Sequence, residues 1–196
     1  MNRVSIRKYL TNIKMQTFDH NLLQKSASSC AVKCQQIIMR DYGIDVSEDC
    51  LCSIASRYGW YDEAVGMRMS DNGKLLGSFG ISYHHSQLNS LEDIKREIDK
   101  GHRVMVNVNC HKLCDDISFR DVCEASHAVI VRDIDLSGNA VVLTNPATGR
   151  IAETYTLEIF DKAWTDSCRY MLATDSPAKY EYSSHTRSMR GIVKPI

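Results

Sequence analysis

Apolar residues recur along this chain first at helical spacing and then at strand spacing. Ala31, Cys34 and Ile38 share one face with Ile37 beside them, and Gly43 follows, so the pattern predicts a helix that starts at Cys30 and stops at that glycine. Cys50, Leu51, Ile54 and Ala55 repeat the pattern, with Ser47 placed to cap a second helix. A third helix is expected around Met67 to Leu76, broken by Gly77 and Gly80. His84 and His85 then fall in a polar link. Neighbours on an extended segment point to opposite sides, which makes them poor partners for one metal ion. Ser90-Leu-Glu-Asp93 carries a capping signature, Leu91, Ile94 and Ile98 form the stripe behind it, and Lys100-Gly101 ends that helix.

Beyond Gly101 the period changes to two. Val104, Val106 and Val108 alternate with Met105, Asn107 and Asn109, the pattern of a half-buried strand. Residues 128–134 (AVIVRDI) and 140–144 (AVVLT) read as two further strands joined by a turn at Ser137-Gly138-Asn139. Asn145-Pro146 breaks the second of these and Gly149 continues the loop. Thr156 caps a short helix carrying Leu157, Phe160 and Trp164, and residues 169–173 close the pattern as a strand. Helices first and an antiparallel sheet second is an α+β layout. The expected organisation is a basic lead-in over residues 1–19, one domain over 20–174 and a polar tail over 175–196. Within the lead-in, Val4, Ile6, Tyr9, Leu10 and Ile13 suit a short amphipathic helix.

Composition narrows the function classes. The 24 basic residues balance 24 acidic ones, so no overall field draws the protein to nucleic acid or to an acidic membrane surface. No apolar run approaches the roughly 20 residues that cross a bilayer, and no membrane insertion is expected. The first residues lack the sustained apolar core and small-residue cleavage site of a secretory signal. The eight cysteines are therefore expected as reduced thiols. Cys110-His111-x-x-Cys114 with Cys123 gathers soft ligands, but the spacing is irregular and adjacent Cys110 and His111 converge poorly on a tetrahedral ion. No metal and no cofactor is expected.

The candidate chemistry centres on Cys30. A thiol at a helix N-terminus is favoured as the anion by the helix dipole. Gln24, six residues earlier, carries an amide that could donate to an oxyanion beside that sulfur. A thiol nucleophile needs a base, and the base needs an orienting group. His127 stands immediately before a strongly apolar strand, and Asn145 ends the next one. A tight turn between antiparallel strands brings those ends together, so the Asn145 side chain can fix the far nitrogen of the His127 ring.

In this order and spacing the chain resembles the papain-like cysteine peptidases of the bacteriocin-processing, double-glycine leader peptidase family. The matching residues are Gln24, Cys30, Cys34, Tyr42-Gly43, the stretch DKG101-HRVMVNV, His127-Ala-Val-Ile-Val, Asn145-Pro146 with Gly149, and Phe160 with Trp164. The resemblance spans about residues 20–173. It implies a papain-like fold, with an N-terminal helical half packed on a C-terminal antiparallel sheet. It also implies Cys30 as nucleophile, His127 as base, Asn145 as orienting residue, and Gln24 with the Cys30 N–H as oxyanion hole. Ala31 stands where the family usually has glycine, and Asn145 where aspartate is common. Residues 109–125 read as an insertion placed to cover the site, and the family's exporter and nucleotide-binding domains have no counterpart, which suggests a freestanding version.

The expected function is a thiol protease acting on a peptide or protein through a thioester. Two alternatives stay open: a bacterial effector that deamidates or transamidates a host glutamine, and a degenerate module that only binds peptide. The expected location is the bacterial cytoplasm, or a host cell reached by a route that needs no classical signal peptide.

Overall fold

A computed structural model of the chain describes residues 18–113 and 126–179. The helix expected at 4–13, most of the 109–125 insertion with Cys114 and Cys123, and all but the first residues of the tail lie outside the described residues.

Helix α1 spans Cys30–Asp41, and Gly43 beyond it takes φ +82°, the left-handed geometry that ends a helix. Helix α2 spans Glu48–Arg57 and opens on Ser47, whose hydroxyl accepts the Cys50 N–H. The third helix differs from expectation. Strands β1 (Tyr61–Asp62) and β2 (Gly66–Met67) pair as a hairpin, a 3-10 turn covers Met69–Asp71, and helix α3 is confined to Lys74–Ser78. Gly73 at φ +90°, inside the expected helix, explains the difference, because a continuous right-handed helix cannot pass through it. His84 and His85 lie not in a link but in an edge strand, β3 (Tyr83–Ser86).

Helix α4 (Leu91–Asp99) carries the capping box formed by Ser90 and Asp93. Strand β4 (Val104–Val108), helix α5 (Cys110–Leu113), strand β5 (His127–Asp135) and strand β6 (Ala140–Asn145) follow. Strand β7 (Arg150–Thr156) occupies a stretch the apolar pattern left as loop. Helix α6 (Leu157–Trp164) is capped by the Thr156 hydroxyl, and strand β8 (Met171–Thr174) completes the sheet. The six strands run β3-β8-β4-β5-β6-β7, with every neighbour antiparallel.

Both faces of the sheet are covered. Ile37, Ile38 and Met39 of α1 join Met105, Ala128, Ile130 and Leu172 in one apolar cluster. Ile94, Phe160 and Trp164 of α4 and α6 join Val104, Val106, Val129 and Val131 in the other. This is why β4 is buried at all five positions and not half-buried as its alternation suggested.

A buried ion cluster sets the direction of α1. Asp41, at its last turn, accepts from Arg103 Nε at 2.6 Å and from Arg132 Nη1 at 2.9 Å. Both arginines mark one end of the β4–β5 pair, and His127 marks the other, opposite Val108. Tying the C-terminal end of α1 to the arginines aims its N-terminal end, and Cys30, at His127.

Candidate active site

Cys30 is the first residue of α1. No acidic side chain occupies the first turn, and the Ser29 hydroxyl makes no capping bond there, so the positive end of the helix dipole is left to the sulfur. The Ser29 hydroxyl instead donates its one hydrogen to Glu48 Oε1 at 2.7 Å, with Ser26 O also within reach at 3.1 Å. Glu48 Oε1 also accepts the Lys25 N–H at 2.9 Å, and Glu48 Oε2 meets Lys33 Nζ at 3.2 Å. Lys33 and Glu48 are only 4% and 2% exposed, so an ion pair shielded from water anchors the loop from Gln24 to Cys30. The β1–β2 hairpin holds the other side of that loop. Ser28 donates to Glu63 O at 2.7 Å and shares a 3.0 Å hydroxyl contact with Tyr61, while a Cβ on Gly66 would press on Ser28 O at 3.0 Å.

Across from α1, His127 is 2% exposed at the start of β5. Its Nε2 lies 2.8 Å from Asn145 Oδ1. The amide orientation is settled by its other bonds: Oδ1 accepts the Ala147 N–H at 3.0 Å, and Nδ2 donates to Glu153 Oε2 at 3.2 Å. Oδ1 is therefore the atom facing the imidazole, Nε2 carries the proton donated to it, and Nδ1 is left for the sulfur. A register shift between Leu143 and Asn145 turns the end of β6 and places this side chain.

Cys30 hydrogen-bonds to His127. Burial alone would push its thiol up. The His127 hydrogen bond, the imidazolium charge and the backbone N–H groups of Ala128 and Ala31 together outweigh that and hold it below the ordinary thiol value. Cys34, one turn on, behaves oppositely: it is fully buried, its sulfur donates to Ala128 O at 3.3 Å, and burial with the nearby Cys30 charge pushes its thiol well up. Burial, with Glu48 and Asp49 beside it, pushes Cys52 up to about 11.

The fourth expected residue, Gln24, joins the same place through its backbone, whose N–H donates to Pro146 O at 2.8 Å. Its side-chain amide is turned into its own loop, with Nε2 donating to Ser26 O at 2.7 Å and Ala27 O at 3.0 Å. The structure thus brings Cys30, His127 and Asn145 into one chain of contacts, with Gln24 at its margin and both amide hydrogens of that glutamine engaged. Sequence reasoning missed Glu48 and Glu153. An acid at the inward position of a strand-like run, Ile151 to Tyr155, was the available signal for the second.

Among the described residues no group of three or more His, Cys, Asp or Glu side chains could hold a metal ion. Cys110 and His111 lie on α5, and the other two cysteines of that run lie outside the described residues.

The Peptidase_C39 like family matches residues 12–171. No curated protein matches the chain. Among solved structures, the chain is similar to a C39-like peptidase assignment from Bacillus anthracis, at 14% identity and TM-score 0.59, covering 84% of this chain and 96% of that one. It is similar to the peptidase domain of Streptococcus ComA, a bi-functional ABC transporter involved in quorum sensing, at 13% identity and TM-score 0.58, covering 79% and 96%. It is also similar to a double glycine motif protease from an AMS/PCAT transporter, solved in complex with its leader peptide, at 15% identity and TM-score 0.54, covering 78% and 88%. At these identities the likeness is one of fold, the papain-like α+β arrangement of helices on an antiparallel sheet. The family match, which extends over most of the chain, carries the assignment: the protein belongs to the Peptidase_C39 like family of cysteine peptidases.

Proposed function

We propose that the protein is a thiol peptidase that cleaves a peptide or protein through a thioester on Cys30. One observation carries the reading: a thiol at an uncapped helix N-terminus, held below its ordinary pKa by the histidine that Asn145 orients. The Cys30 thiolate attacks the amide carbonyl and forms the C–S bond. The C–N bond breaks as His127 Nδ1 gives its proton to the departing amine. Water then attacks the thioester and loses a proton to His127, and the C–S bond breaks to release the acid and restore the Cys30 thiolate beside the imidazolium. The solved relative bound to a leader peptide supports a peptide as substrate.

In this reading Gln24 and the Cys30 N–H stabilise the oxyanion. To do so Gln24 must release one of its loop carbonyls, and Ala27 O is the weaker and more exposed partner. A developing negative charge is a better acceptor than a neutral carbonyl, so formation of the tetrahedral intermediate itself drives the exchange. Gln24→Ala is expected to lower kcat by about a hundredfold or more with little change in KM. An unaffected rate would remove Gln24 from the mechanism.

The test is incubation of the wild-type protein and Cys30→Ala with a leader-type peptide and a peptide library, read by mass spectrometry. Cleavage by the wild type and none by Cys30→Ala is the expected result. A mass gain at a glutamine without chain cleavage would make the same thioester chemistry a deamidation, as in the effector reading. Binding without turnover would make the protein a peptide-binding module.

A further inference from the structure

The peptidase reading leaves a carboxylate unused. Glu153, on β7, is 4% exposed and directly behind Asn145. Its Oε2 accepts from Asn145 Nδ2 at 3.2 Å and from the Tyr155 hydroxyl at 2.6 Å, and its Oε1 accepts from the Thr148 hydroxyl at 2.6 Å. Among the described residues the cation paired with it is Arg150, whose Nη1 stands 3.8 Å from Oε1 and whose side chain is more than a third exposed. Among the described residues three donors and no acceptor hydrogen-bond to the group, an environment that suits a carboxylate.

We infer that Glu153 is a positioning residue that supplies, through the Asn145 amide, the negative charge a directly placed carboxylate would give His127. The geometry requires the neutral side chain at 145. An amide can donate to Glu153 and accept from His127 at once. A second carboxylate in its place would set two anions about 3 Å apart in a buried site, where they cannot both ionise. The Glu153 charge polarises the amide, strengthens Oδ1 as an acceptor for Nε2–H, and so favours the imidazolium that faces the Cys30 thiolate. Among the described residues the titratable groups of this chain of contacts are Tyr155 and Arg150 on its own strand, His127 on β5 and Cys30 on α1.

The inference rests on the peptidase reading, and its test uses no substrate. The pH profile of Cys30 alkylation by iodoacetamide is measured by peptide mapping for the wild type, Glu153→Gln, Asn145→Asp and the double variant Asn145→Asp/Glu153→Gln. Glu153→Gln keeps the shape and most hydrogen bonds but loses the charge, so the low-pH limb is expected to move up by about one unit. Asn145→Asp alone, whose two carboxylates share one proton, still holds one negative charge and is expected to label within a few fold of the wild type at neutral pH. The double variant restores one carboxylate and one amide in exchanged places and is expected to recover the wild-type profile to within a few fold. A Glu153→Gln profile superimposed on the wild type, or a double variant shifted as far as Glu153→Gln, overturns the inference. Should Asn145→Asp fail to fold, a folded and labelling double variant supports it and an equally unfolded one overturns it. A wild-type thiol with no low-pH limb overturns the peptidase reading as well, which separates the two failures.

Discussion

At about pH 6, iodoacetamide is expected to alkylate Cys30 well ahead of the other thiols, and His127→Ala is expected to reverse that order. The contributions at Cys30 make the effect large. Burial is the strongest single influence and acts upward; only the histidine, with two backbone N–H groups, brings the net shift below the ordinary thiol value. Removing the imidazole takes away both its hydrogen bond and its charge and leaves burial dominant, so the pKa should cross to the high side. An ordinary thiol with pKa about 8.5 is less than one per cent thiolate at pH 6, so labelling of Cys30 in His127→Ala should fall to the slow rate of an unactivated thiol or below. The sign follows from the direction of the shift. Wild-type labelling should persist as pH falls below the ordinary thiol range and fail only on passing the lowered pKa. Cys34 and Cys52, both shifted upward, provide internal references in the same digest. Equal labelling of wild type and His127→Ala would show that Cys30 is not activated by this pair.

The largest expected effect on stability is at Glu48. Glu48→Ala removes the counter-ion of a lysine that is 4% exposed and leaves the Lys25 N–H and the Ser29 hydroxyl short of an acceptor. Breaking a buried ion pair from one side costs about 3–5 kcal/mol. Burial already lowers the Lys33 pKa, so part of that cost can be relieved by loss of its proton. Glu48→Gln separates the two jobs of this carboxylate. Its amide oxygen can still accept from Lys25 and Ser29, but Lys33 loses its charge partner. Urea unfolding should find both variants destabilised, with Glu48→Ala the worse. Cys30 labelling without denaturant should stay fast in Glu48→Gln and slow in Glu48→Ala, where the loop before Cys30 has lost its anchor. Equal labelling in the two would show that the loop holds its shape without Glu48.

What could be read from the sequence follows the range of the forces involved. Ser47, Ser90 and Thr156 cap their helices through bonds to residues three positions away, and such local bonds leave a local signature. The meeting of His127 and Asn145 was legible because the turn at 137–139 forces adjacent strands to align. Residues 61–78 misled because the apolar residues from Met67 to Leu76 read as one helix while the left-handed Gly73 between them sets a different backbone. Strand β7 was invisible because its one fully buried position is Glu153, so the acid interrupted the apolar alternation that marks a strand. The paired burial of Lys33 with Glu48, and of Asp41 with Arg103 and Arg132, depends on contacts remote in sequence. Nothing in a one-dimensional charge pattern distinguishes those residues from a solvated face.

The division of the site between a helix near the start of the chain and a hairpin far downstream has a consequence for biosynthesis. During translation Cys30 leaves the ribosome long before His127 and Asn145 are made. Until β5 and β6 pair and dock beneath α1, the sulfur has no imidazole beside it and the Gln24 loop has no Pro146 carbonyl to hold it. Contacts of such long sequence separation form late in folding. A nascent or partly unfolded chain therefore carries an ordinary thiol, and the lowered pKa of Cys30 comes into being only with the finished fold.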